Sequence, residues 1–207
     1  MALQSKTLLV ATKNPGKARE FAHLLGNSWK VETLLDLPAL TEGVEDGATF
    51  EENAAKKALA IAAQVGPEVF VLADDSGLEV DALGGAPGVY SARYAGENDP
   101  HFRDEANNGK LLAAMKEVPD DNRGAQFRCA LCLVKGNEVV ATADGVCRGI
   151  LLDAPYGHEG FGYDPLFVPD GAEQKRTFAE MPLDQKHRFS HRAMAMGKMA
   201  AEMGRMV

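Results

Sequence analysis

Thr7-Leu8-Leu9-Val10, followed at once by Ala11-Thr12-Lys13-Asn14-Pro15-Gly16-Lys17-Ala18-Arg19-Glu20-Phe21, limits the folds open to this chain more than any other stretch. Leu8, Leu9 and Val10 read as a buried strand, whereas Lys17 to Leu25 sets Phe21, Leu24 and Leu25 at helical spacing. Pro15 suits the start of that helix, since the N–H it lacks would have had no helical partner. A strand therefore hands the chain to a helix N-terminus, where unpaired N–H groups and the helix dipole favour an anion. The Gly16-Lys17 pair is not a Walker A loop, which needs glycine at position 11 and Ser or Thr at position 18; both are alanine here. Two readings remain: Thr12, Asn14 and Lys17 face one phosphate group, or the segment is an ordinary turn with a solvated lysine.

Downstream, Val31 to Leu35 is predicted as a short strand, and a Gly-bearing acidic loop runs from Thr41 to Ala48. Thr49-Phe50-Glu51-Glu52 has the form of a capping box, and Ala54 to Gln64 is rich in strong helix formers. Val69 to Ala73 is predicted as a buried strand that stops at Asp74-Asp75-Ser76-Gly77. Leu83 to Gly96 is a Gly-rich loop, and Asp99-Pro100 starts a helix reaching about Val118. Gln126 to Val134 and Glu138 to Arg148 flank Lys135-Gly136-Asn137 as an antiparallel hairpin. A loop from Ala154 to Pro165 carries glycines at 157, 160 and 162. Ser190 to Met203 is helical, with methionines at 194, 196, 199, 203 and 206 expected to pack rather than bind. The sum is an α/β or α+β chain with a mixed sheet, and 207 residues suit one domain or one core with two lobes.

With 22 basic and 30 acidic residues, the net charge of −8 disfavours a nucleic-acid backbone as partner, so any polyanion must meet a local basic pocket. No apolar run approaches the roughly 20 residues needed to span a bilayer, and no leader pattern is evident, so a cytoplasmic protein without a membrane partner is expected. Cys129 and Cys132 form a C-x-x-C, but on a strand that spacing sends the two thiols to opposite faces. With no second such pair, buried structural thiols are the expectation.

Asp74 and Asp75 sit where open α/β sheets place ligands. As adjacent strand residues they differ in direction, so at most one aims into a cleft, which suits Mg²⁺ with its one or two carboxylates plus water and phosphate oxygens. Asp75-Ser76-Gly77 also imitates the aspartic-protease triplet, which would need a second copy, or forms a simple turn. Glu52 fits the capping box and stands four residues before Lys56. Lys186, His187, Arg188, His191 and Arg192 make a basic island in an acidic chain, either a solvated helix face or a recognition surface for an anionic or oxygen-rich ligand.

Taken in order, TKNPGK, FEENA, ADDSGLEVDALGGAPGVYSARYAG, GFGYDPLF and FAEMPLDQKHRFSHR resemble the non-canonical purine nucleoside triphosphate pyrophosphatases, also called inosine or xanthosine triphosphate pyrophosphatases, from about Leu8 to Met199. The resemblance implies an elongated α/β architecture, a mixed central sheet with two lobes around an active-site cleft, and a homodimer. It implies Mg²⁺-dependent hydrolysis of ITP, dITP or XTP to the monophosphate and pyrophosphate. On this sequence it assigns Thr12, Lys13, Asn14, Pro15, Gly16 and Lys17 to the triphosphate, with Lys13 at a variable place. It assigns Glu52 and Asp75 to the metal, Asp75 to catalysis and Ser76 to a place beside the substrate. Phe161, Gly162, Tyr163 and Asp164 are assigned to the base, joined by Lys186, His191 and Arg192. Hypoxanthine and xanthine carry an oxygen at the purine 6 position where adenine carries an amino group. Donors aimed there, from Arg192 or backbone N–H groups near Phe161, would reject ATP by factors of about 10⁴ to 10⁵.

Overall fold

Residues 6–97, 99 and 101–205 are described by a computed structural model. Its main elements are β1 (Lys6–Val10), α1 (Pro15–Leu25), β2 (Trp29–Thr33), α2 (Phe50–Ala62), β3 (Phe70–Val80), α3 (Arg103–Ala114), β4 (Gly124–Lys135), β5 (Glu138–Leu151), β6 (Phe167–Pro169), α4 (Leu183–Lys186) and α5 (His191–Arg205). The strands form one mixed sheet in the order β2-β1-β3-β4-β5-β6. β1 pairs in parallel with β2 and with β3, whereas β6 is antiparallel to β5.

The chain divides into two compact units. The first comprises Met1–Asp75, Ala130–Asp144 and Ala195–Val207, and the second Ser76–Cys129 and Gly145–Met194. In the first, Leu8, Leu9 and Val10 are all buried, as befits a parallel strand covered on both faces. The connection β1-α1-β2 steps to one side of β1, and β2-α2-β3 steps back past it to the other. Right-handed crossovers in opposite directions put α1 and α2 on opposite faces of the sheet and create a switch point between β1 and β3. In the second unit the core gathers Leu78, Phe127, Tyr163, Phe167, Phe178 and their neighbours.

The largest departure from expectation concerns β3, which does not stop at Asp74 but runs on to Val80. Gly77 is no turn residue. It is bare because a Cβ there would collide with Ser91 Oγ and lie 2.7 Å from the Gly88 carbonyl. What ends at this level is the neighbour: Val10, the last residue of β1, sits opposite Leu72. Asp74 and Asp75 thus lie just beyond the end of β1 while remaining inside their own strand.

Other boundaries also moved. β2 lies nearer the N-terminus than Val31–Leu35. α3 begins at Arg103 after a turn closed by the Asp99 carbonyl, and it ends at Ala114; Pro100 falls outside the described residues. Ser91 belongs to a short 3-10 turn, Gly88–Arg93, within the predicted loop. In α5, Met196, Met199 and Met203 are buried and Met194 is exposed; Met206 falls outside the described residues. Cys129 and Cys132 are both buried and outside any disulfide, because β4 is covered on both faces from Cys129 to Val134. No helix among the described residues is long and apolar enough to cross a membrane.

Candidate functional site

In the first unit the turn after β1 folds on its own polar groups. Asn14 is the N-cap of α1, its Oδ1 accepting from the N–H groups of Gly16 at 2.8 Å and Lys17 at 3.1 Å. Asn14 N–H in turn donates to Thr12 Oγ1. Two of the helix's unpaired donors are therefore satisfied internally, and the turn's fixed charge is the Lys17 ammonium. That ammonium is ion-paired. It meets Asp74 Oδ1 at 2.5 Å, with the lysine side chain 15% exposed and the aspartate 1%. Lys13 and Pro15 are exposed, and Lys13 lies 3.7 Å from Glu42.

Asp75 points the other way and meets Lys57 of α2. Lys57 Nζ lies 3.0 Å from Asp75 Oδ1 and 3.0 Å from Glu45 Oε1, and it donates to the Asp74 carbonyl at 3.3 Å. Neighbouring residues of one strand thus each take a lysine from a different helix, as α1 and α2 on opposite faces require. Burial pushes the Asp75 carboxyl above the usual carboxylate range, and Lys57 and Lys17 offset this only in part. Burial would lower the Lys57 ammonium, but Asp75, Glu45 and Asp74 outweigh it and hold Lys57 above its ordinary value, hence charged.

Glu45 rides on the acidic loop, which lies back along α2 rung by rung. Thr41 bonds Gln64, Glu45 meets Lys57, Asp46 meets Lys56, Gly47 N–H donates to Asn53 Oδ1, and Ala48 N–H donates to Glu52 Oε2. Half of the expected capping box is present: Thr49 accepts from Glu52 N–H, while the Glu52 carboxylate reaches Ala48 rather than Thr49. Glu52 is exposed.

Asp75 Oδ2 is buried without a hydrogen-bond partner. An oxygen left open beside a charge cluster fits a hard divalent cation. Among the described residues no three acidic, His or Cys side chains gather to hold a metal unaided.

The second unit organises the remaining candidates around the 160–164 loop. Lys186, at the end of α4, meets Asp164 Oδ2 at 2.5 Å, both side chains 3% exposed, and the same oxygen accepts from Phe161 N–H at 3.0 Å. Gly160 has φ 77°, and a Cβ there would collide with that carboxylate. Gly162 is held at both ends by α3: its N–H donates to Asp104 Oδ2 at 2.6 Å and its carbonyl accepts from Asn108 Nδ2 at 2.9 Å. Tyr163 is buried and donates to the Ser91 carbonyl, and burial pushes its phenol well up.

The ring of Phe161, half-buried, lies 5.1 Å from Lys186 Nζ and 5.7 Å from Arg192 Cζ. Arg192, 1% exposed, donates to Ser76 Oγ at 2.7 Å. His191 stacks on Phe127 at 4.8 Å and 11°. The solvated-face reading of the basic island fails for Lys186, His191 and Arg192, which are all buried, and holds only for Arg188. The backbone donors of Phe161 and Gly162, expected to face the purine 6-oxygen, are engaged by Asp164 and Asp104.

Sequence reasoning missed Lys57, Glu45, Asp104 and Asn108. Lys57 left a trace, because Phe50, Asn53, Ala54, Lys57, Ala58 and Ile61 share one helical face and all are buried.

Set against known proteins, the chain matches the profile of the Ham1 family over residues 8–202. It is 50% identical over 193 residues to a dITP/XTP pyrophosphatase of Desulforamulus reducens, covering 92% of each chain. It is 43% identical over 196 residues to the dITP/XTP pyrophosphatase of Bacillus subtilis, covering 94% of this chain and 96% of that one. Among solved structures, the Ham1 protein of Staphylococcus aureus superposes with a TM-score of 0.81 at 37% identity, covering 98% of this chain and all 100% of its own.

Proposed function

The chain belongs to the Ham1 family, and from that premise we propose how its own residues carry out the reaction. The protein is a hydrolase of non-canonical purine nucleoside triphosphates, the dITP and XTP class, yielding the monophosphate and pyrophosphate and so clearing deaminated purines from the nucleotide pool. The observation that supports the residue assignment is the cluster of Lys17, Lys57, Glu45, Asp74 and Asp75 at the switch point.

Asp75 is the general base. Its carboxylate takes up the proton of a water attacking the α-phosphorus, and the α–β anhydride bond breaks with pyrophosphate as leaving group. Lys57 holds Oδ1, and its charge offsets part of the burial that raises the carboxyl. Lys17 brings positive charge toward the triphosphate, steadied by the capped turn of Thr12 to Gly16. Bound Mg²⁺ would neutralise phosphate charge and polarise the bond to be cleaved. Asp75 would be one ligand of that ion, and Glu45 fits as the second better than Glu52. Glu45 shares the Lys57 ammonium with Asp75, whereas a Glu52 oxygen is spent on Ala48. On the base, Phe161 offers a stacking face, Lys186 and Arg192 supply donors for a 6-oxo purine, and Gly162, Tyr163, Asp164, His191 and Ser76 hold these in place.

A homodimer in the cytoplasm is part of the proposal: the resemblance implies the dimer, and cysteines outside any disulfide fit a reducing compartment. Neither nucleic acid nor membrane is a partner of a chain carrying −8.

Pyrophosphate release from ITP, dITP, XTP, GTP and ATP, with and without Mg²⁺, tests the reaction and base choice together. Turnover of ITP, dITP and XTP with little of GTP or ATP, abolished by EDTA, is the expected result. The ligand assignment is checked by the Mg²⁺ concentration giving half-maximal rate: Glu45→Gln should raise it about 10-fold or more and Glu52→Gln much less. The reverse order would return the metal to Glu52.

A further inference from the structure

Asp74 is the buried acid that the hydrolytic scheme leaves without a role. Its side chain is 1% exposed, on the strand face opposite Asp75, and its Oδ1 lies 2.5 Å from Lys17 Nζ. A carboxylate so far from water persists as an anion only against a cation. The partner is unusual in being fixed at both ends. Lys17 N–H is tied to the Asn14 cap at 3.1 Å, and its ammonium to Asp74. The flexible four-carbon stem between them has little freedom left, although lysine ordinarily loses much rotamer entropy when it engages a ligand. An ammonium has three donors, so one bond to Asp74 leaves two for phosphate oxygens.

We propose that Asp74 is a positioning residue of the hydrolase, which pre-places the Lys17 ammonium for the triphosphate and takes no part in binding metal. The inference rests on the assignment of Lys17 to the phosphates. Pre-placement means that the ordering cost of one long side chain is met during folding rather than at the encounter with nucleotide. Freeing that side chain should lower kcat/KM for dITP by about 3- to 10-fold.

The test is a double-mutant cycle on the full-length protein with dITP and Mg²⁺, using Asp74→Asn, Lys17→Gln and their combination, each checked for folding by circular dichroism. Asp74→Asn alone should lose kcat/KM, and in the Lys17→Gln background it should lose almost nothing further. The Mg²⁺ concentration giving half-maximal rate should stay within twofold of the parent's, about the scatter expected when no ligand is lost. Asp74→Glu, which keeps the charge on a longer arm, should restore part of the loss while Lys17 is present, and it gives the same cycle if Asp74→Asn does not fold. Additive losses would overturn the proposal, as would a tenfold or greater rise in the Mg²⁺ requirement, which would make Asp74 a metal ligand. If Lys17→Gln by itself left kcat/KM unchanged, the phosphate assignment of Lys17 would be the part that failed, and the role of Asp74 with it.

Discussion

Lys57 occupies a position where an amphipathic helix would ordinarily carry alanine or leucine. Its burial is sustained by carboxylates from the acidic loop and β3, and it acts on Asp75 more strongly than any other charge. Removing it should therefore show in the pH profile. In Lys57→Met the Asp75 carboxyl loses the cation that lowers its pKa, so the acid limb of kcat/KM should move to higher pH; an unmoved limb would detach Lys57 from Asp75. Stability follows the same carboxyl. Its folded-state pKa is raised, so the native protein holds that proton more tightly than the unfolded chain, and ionisation costs stability as pH rises above 3.8. Asp75→Asn should thus abolish turnover yet melt no lower than the parent at pH 7, the two curves converging as acid protonates Asp75. Part of this scale was legible beforehand, since Lys17 and Asp75 were singled out, whereas Glu52 was expected at the metal and its carboxylate is engaged by Ala48. What the sequence hid were partners. A lysine in the buried stripe of α2 and one acid among several in a loop become distinct only once α2 lies against β3.

At the level of elements, the N-cap of α1 was readable from Pro15, and its energetic weight can be measured. Asn14→Ala removes the acceptor of two N–H groups and should cost about 1 kcal/mol of stability, seen as a fall of roughly 2–4 °C in Tm. The loss should spread to catalysis, because the same cap tethers the backbone of Lys17. β3 misled for a physical reason. Asp-Ser-Gly has turn chemistry in isolation, but each of its side chains finds a specific partner: Lys57 for Asp75, Arg192 for Ser76, and the space at Gly77 for Ser91. Those tertiary contacts outweigh local preference and keep the strand extended. The 160–164 loop shows the converse. Its glycines announced irregular backbone, but nothing local named α3 as its support. With the peptide of Gly162 held at both ends, Asn108→Ala should loosen base choice and narrow the ITP-to-GTP rate ratio while leaving the Mg²⁺ requirement unchanged.

For the whole molecule, alternation of strand and helix in the first 80 residues foretold a mixed α/β sheet, yet not the order β2-β1-β3-β4-β5-β6, which pairings distant in sequence decide. Motifs in series carried more than any element did, since five short stretches were enough to place the chain beside its family. The proposed homodimer should sediment at twice the chain mass of 22.2 kDa at micromolar concentration; a single species of 22.2 kDa would remove it. One further consequence comes from the sheet's interior. All three cysteines are buried, and burial pushes Cys132 to about 11 and Cys147 to about 12, so at neutral pH these thiols are poor nucleophiles. The native protein is thereby close to silent toward maleimide dyes. Val44 is 76% exposed, beside Glu45 on a strap pinned to α2, and Val44→Cys should take a single fluorophore there. Its emission would report cation and nucleotide arrival in real time, without any other thiol being removed.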